Sequence, residues 1–144
     1  MEKRILDLPR PPRILVVEDS PITLQLFKRI FSQDYIVVTA NDGKKGLEKA
    51  KEAYFDVIIS DIDLPAMNGL EFFQALSEHD PNINRRFLFL SGLITEARQV
   101  FLNANQVPFF WKPVGMLVLK HKLIEIIEGN RQRIELPENS GLME

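Results

Sequence analysis

The sequence predicts an α/β fold, a doubly wound five-stranded parallel sheet with helices on both faces. Three observations carry this. Five short, β-rich apolar runs punctuate the chain, and segments of helical spacing separate them. The runs are continuously apolar rather than alternating, as strands covered on both faces require. A length of 144 residues suits one domain with a sizeable core.

The first run, "RILVV" at 13–17, follows the proline-rich "PRPP", so residues 1–12 read as an N-terminal tail. A helix is expected next: Ser20 can cap it, Pro21 suits its first position, and Ile22, Leu26 and Ile30 share one face. The second strand is "YIVVTA" at 35–40, after which Asn41 and Asp42 make a turn and a helix cap. Leu47, Ala50 and Tyr54 form the second helical face. "DVIIS" at 56–60 is the third strand, followed by a helix with Leu70, Phe73 and Leu76 on one side. "RFLFL" at 86–90 is the fourth, and Ala97, Phe101 and Ala104 mark a weaker helix. "PFFW" at 108–111 is the fifth; the last helix presents Met116, Leu119, Leu123 and Ile126 or Ile127, closed by Gly129. Apolar periodicity stops near Asn130, so 13–130 reads as the domain and 131–144 as a C-terminal tail or linker stump.

Composition removes several classes. A net charge of −2 supplies no basic footprint for nucleic acid, and no apolar run approaches a membrane span. The start, "MEKRILDLPRPP", lacks the apolar stretch of a signal peptide. Zero cysteines exclude disulfides and thiolate metal sites and fit a reducing cytoplasm. His79 and His121 are far apart on helical segments and read as surface or half-buried helix residues rather than ligands.

Ligands of a parallel α/β sheet sit beyond the carboxyl ends of its strands. Glu18 and Asp19 follow the first strand, Asp61 the third, Ser91 the fourth and Lys112 the fifth. Each alone has a bland explanation as a cap or a solvated charge; converging on one edge, they form a constellation. Two carboxylates about 5 Å apart repel by roughly 3 kcal/mol at an effective dielectric of 20. Three in one pocket therefore need either protonation or a cation. An oxygen-only donor set without His or Cys suits Mg²⁺, with Mn²⁺ as the alternative, and Mg²⁺ commonly joins carboxylates to phosphate oxygens.

The ordered set "VVEDS", "SDIDLPAMNG", "LSG" and "KP" resembles the receiver domain of two-component response regulators, the CheY-like family, over about residues 13 to 130. The Asp61–Pro65–Gly69 spacing is specific when joined to the other three pieces. The resemblance implies the strand order 2-1-3-4-5 of flavodoxin- and CheY-like sheets. It implies that Asp61 is the phosphoacceptor for a sensor histidine kinase or phosphotransfer protein. Asp19, Asp61 and the backbone carbonyl of Asp63 are implied as metal ligands, with Glu18 acting through water. Lys112 and Ser91 would contact the phosphoryl group, and the Lys112–Pro113 peptide would be cis. Ser91 and Phe109 would switch, altering the surface of helix four, strand five and helix five that a target, an output domain or a second copy reads.

This chain departs from the family at several points: Phe109 lacks a tyrosine hydroxyl, Gly92 stands where alanine is common, and Asp63 and Leu93 occupy positions that tune dephosphorylation. Two rival readings remain. "VIISDIDL" also resembles the first motif of haloacid-dehalogenase-like phosphohydrolases, with Asp63 as general acid/base and Ser91 and Lys112 holding phosphate. That family needs an acidic pair after the lysine, where only helix-patterned Glu125 and Glu128 occur, and it leaves Glu18 and Asp19 unexplained. The other rival is a receiver-like interaction module that is never phosphorylated. Lone Trp111, beside Lys112, offers an optical reporter. A nucleotide-binding flavodoxin-like protein lacks support because no Gly-rich loop follows the first strand.

Overall fold

The computed structural model describes residues 10–135; residues 1–9 and 136–144, most of the two expected tails, lie outside that range. Five strands, β1 (Arg13–Val17), β2 (Ile36–Ala40), β3 (Val57–Ser60), β4 (Phe87–Ser91) and β5 (Phe109–Trp111), pair in parallel in the order β2-β1-β3-β4-β5. Helices α1 (Pro21–Phe31), α2 (Gly43–Glu52), α3 (Gly69–His79), α4 (Glu96–Ala104) and α5 (Met116–Glu135) alternate with them. The expected fold class and strand order are both present.

Successive side chains of a strand point to opposite faces, and this sorts the apolar runs into two layers. Ile14, Val16, Val57, Ile59, Leu88 and Leu90 meet Phe27 and Phe31 of α1 and Leu119, Leu123 and Ile127 of α5. Leu15, Val17, Ile58, Phe87 and Phe89 meet Phe72, Phe73 and Leu76 of α3 and Leu102 of α4. Each such side chain stabilises by about 1.5–3 kcal/mol when fully buried, so these two layers outweigh the surface ion pairs.

Local signals set the helix starts. Ser20 accepts from the Thr23 backbone N–H at 3.3 Å with Pro21 in the first turn, and Asp42 accepts from Lys45 at 2.7 Å. Asn68 and Glu71 form a reciprocal capping box at α3, with bonds of 2.9 and 3.0 Å.

Four expectations about helices need correction. Tyr54, expected on the α2 face with Leu47 and Ala50, lies beyond the end of that helix at Glu52 and is exposed. The buried side of α1 is Phe27 and Phe31; Ile22 is 80% exposed and Leu26 48%, because "LFKRIF" carries apolar residues on two faces and the larger aromatic pair takes the core. In α4 the buried residue is Leu102, while Ala97 and Ala104 face out and Phe101 is half-buried. Gly129 does not close α5, which runs to Glu135. Polar contacts carry that extension: Arg131 pairs with Asp56 at 3.1 Å and Asn130 donates to the Arg85 carbonyl at 2.7 Å.

Candidate functional site

Strand register brings the predicted residues to one edge. Val17 pairs with Ser60 and Ser91 with Trp111, so Glu18, Asp61 and Lys112 leave the sheet beyond its carboxyl end. Backbone bonds hold these exits: Glu18 N–H donates to Ala40 at 3.1 Å, Asp61 N–H to Val17 at 3.1 Å and Lys112 N–H to Ser91 at 2.9 Å. The Lys112–Pro113 peptide is cis, as the resemblance implied. Ser91 is the last residue of β4 rather than the first after it.

Asp61 is held from several sides. Its Oδ1 accepts the Ile62 N–H at 2.6 Å and the Asp63 N–H at 3.4 Å, while Oδ2 accepts Lys112 Nζ at 2.9 Å. The fully buried Ile62 anchors the chain behind it. Helix α3 begins hard against the same loop: a Cβ on Gly69 would lie 2.1 Å from the Asp61 carbonyl oxygen, which only glycine permits. Between them the loop turns back through Ala66, whose φ is 67°.

Glu18 is buried; its carboxylate accepts Lys112 Nζ at 2.5 Å and the Ser20 N–H at 3.2 Å. Asp19 is exposed and makes no hydrogen bond among the described residues. Oxygens of Glu18, Asp19 and Asp61 lie within 4.8 Å of one another. Burial pulls the Lys112 ammonium down, but its bonds to Glu18 and Asp61 overcome this and hold its pKa above that of an ordinary lysine. The ammonium stays charged, and three carboxylates still outnumber it.

That surplus tests the metal expectation. Octahedral Mg²⁺ at about 2.1 Å spans about 4.2 Å between opposite ligands. A cluster of this spread fits such an ion with one carboxylate acting through water, and the all-oxygen donor set matches its chemistry.

Ser91 is fully buried, and its hydroxyl is occupied by its own loop, accepting the Leu93 N–H and donating to the Leu93 carbonyl, both at 3.3 Å. Phe109 is half-buried against the α3/α4 core layer, edge-on to Trp111 with centroids 5.4 Å apart. Sequence reasoning missed one participant. Arg98 of α4 grips the Asp63 carboxylate with two bonds, 2.8 and 3.2 Å, and donates to the Leu93 carbonyl at 2.7 Å. It belongs to none of the motifs and its acidic partner lies 35 positions away, so no local pattern signals it. Hydrogen bonding to Arg98 holds the Asp63 carboxyl below its usual range, which makes it a poor proton donor and counts against the phosphohydrolase alternative.

Comparison with known proteins agrees with this geometry. The family model of the response regulator receiver domain matches residues 14–124. A protein-glutamate methylesterase/protein-glutamine glutaminase of Thermotoga maritima is 31% identical over 86% of this chain and 38% of its own length. The transcriptional regulatory protein GlrR of Escherichia coli K12 is 33% identical over 83% of this chain and 27% of its own. The chain thus spans well under half the length of these curated relatives. Among solved structures, a response regulator receiver domain protein (CheY-like) from Methanospirillum hungatei JF-1 superposes with a TM-score of 0.80. Identity there is 25%, covering 86% of this chain and 99% of that one.

Proposed function

The chain belongs to the response regulator receiver domain family, and from that premise we propose that it is a phosphorylation-operated switch with Asp61 as phosphoacceptor. One observation carries the reading: Asp61 sits between a half-buried ammonium and two further carboxylates at the carboxyl edge of the sheet. A carboxylate oxygen of Asp61 attacks the phosphorus of a kinase's phosphohistidine; the O–P bond forms, the N–P bond breaks, and the histidine nitrogen keeps the electron pair. Lys112 offsets charge on the transferred group and orients the Asp61 carboxylate. Asp19, Asp61 and the Asp63 carbonyl would hold Mg²⁺, with Glu18 acting through water. The ion supplies neutralisation of phosphoryl charge.

The switch begins at Ser91. Its hydroxyl leaves the Leu93 carbonyl for a phosphoryl oxygen and draws the β4–α4 loop with it. Phe109 follows inward, and the α4–β5–α5 surface changes as a population shift. That surface exposes Val100, Trp111, Leu117 and Val118, apolar side chains suited to a target, an output domain or a second copy. The domain is read as running from Arg13 to the end of α5, in the cytoplasm, with its own chemistry confined to Asp61. No helix among the described residues is long and apolar enough to cross a membrane.

Incubation with Mg²⁺ and acetyl phosphate tests this by intact mass. The native chain gains one phosphoryl group and Asp61→Asn gains none; beryllofluoride changes Trp111 emission only in the native chain. Undiminished labelling of Asp61→Asn removes that residue from the mechanism.

A further inference from the structure

Arg98 reaches the loops on both sides of Asp61. It takes the Asp63 carboxylate of the β3–α3 loop in a two-pronged pair and the Leu93 carbonyl of the β4–α4 loop as a third partner. The Asp63 backbone N–H in turn donates to Asp61 Oδ1 at 3.4 Å, so the residue that carries one half of the pair is tied through its main chain to Asp61. Without Arg98, the Asp63 carboxylate, two residues along the chain from Asp61, would add an unneutralised negative charge outside a cluster that already holds three. Without Asp63, the guanidinium would stand beside that pocket as a second free cation.

We propose that the Asp63–Arg98 ion pair trims the charge of the pocket and so sets how tightly Glu18, Asp19 and Asp61 hold a divalent cation. This rests on reading that cluster as a Mg²⁺ site. Both residues act through the field they cast on the cluster and are positioning residues, not ligands, in their side chains.

The trim has a signature that a purely structural clasp lacks. Breaking a clasp from either side loosens the site in the same sense; removing either half of a balanced ion pair moves affinity in opposite senses. Arg98→Ala strengthens Mg²⁺ binding by roughly three- to tenfold at low ionic strength, and Asp63→Asn weakens it by a similar factor. The double variant returns close to the native value. Arg98→Lys, which keeps the charge and loses the fork, stays within about twofold of it.

Mg²⁺ titrations of the full chain, followed by amide chemical shifts of residues 17–20 and 61–63, read these affinities without any phosphoryl transfer. Opposite shifts in the single variants, cancelled in the double, are the expected result. Single variants that move together, or do not move, overturn the inference while leaving the metal reading intact. A native chain with no saturable response overturns the metal reading and this inference with it.

Discussion

The two edges of the sheet use the same residue type in opposite ways. At the carboxyl edge, three carboxylates share one ammonium and Asp19 has no hydrogen-bond partner among the described residues. At the amino edge a single buried carboxylate, Asp56, is fully engaged. It accepts the Arg13 N–H at 2.8 Å, Arg10 at 3.5 Å and Arg131 at 3.1 Å. Nearby, Arg86 pairs with Asp80 at 2.7 Å and lies over the Tyr54 ring, 4.4 Å from its centroid. Hydrogen-bonded ion pairs at one edge tie together segments remote in sequence. At the other, three carboxylates gather and the ammonium beside them bonds only two, Glu18 and Asp61.

The largest test of this contrast is Asp56→Ala. It strands one backbone N–H and two guanidinium groups, and should lower unfolding free energy by about 3 kcal/mol in urea titrations. A loss below about 1 kcal/mol would mean that water already satisfies the arginines, and the amino edge would lose its structural role. Asp19→Asn should act in the opposite sense. Removing one of three crowded negative charges raises stability by about 0.5–1 kcal/mol without divalent cations, and excess Mg²⁺ should erase that gain. Destabilisation of the metal-free chain by Asp19→Asn would break the comparison from the other side.

The smallest effect concerns pH. Burial pushes the Asp80 carboxyl up, but the Arg86 ion pair and the Asn82 N–H pull it further down, so its folded pKa is depressed. Its stabilising contribution is therefore present above the unfolded carboxylate value, near 4, and is lost as pH falls through the folded value. Asp80→Asn should flatten the acid limb of the stability profile slightly, because the side chain is 39% exposed and partly screened. An unchanged acid limb would assign that pair no role in stability.

Much of this contrast is legible in the residues, and what is not has a physical cause. Doubly covered strands are the strongest signal, because burial on both faces admits little but apolar residues, and "RILVV" and "VIIS" announce themselves. The polar residue ending each run then stands out against that background. Helix faces are less certain: α1 carries two competing apolar stripes, and the preference of the core for Phe27 and Phe31 depends on α5 packing from elsewhere in the chain. The last turns of α5 are illegible to periodicity because polar contacts of Arg131 and Asn130 are among those that secure them. Arg98 is hidden for a related reason. A long-range ion pair leaves no trace in local spacing, and its residue becomes visible only when α4 is laid beside the β3–α3 loop.

Helix α5 starts four residues after Lys112 and ends beneath the opposite edge, with Arg131 at Asp56. Its 20 residues make a rod about 30 Å long. Pivoted at Met116, a tilt of about 5° would carry the far end through about 2–3 Å. A displacement of a few tenths of an ångström near Asp61 would thereby be magnified mechanically towards the distal end, where the Asp56–Arg131 tether would give that motion a defined resting position.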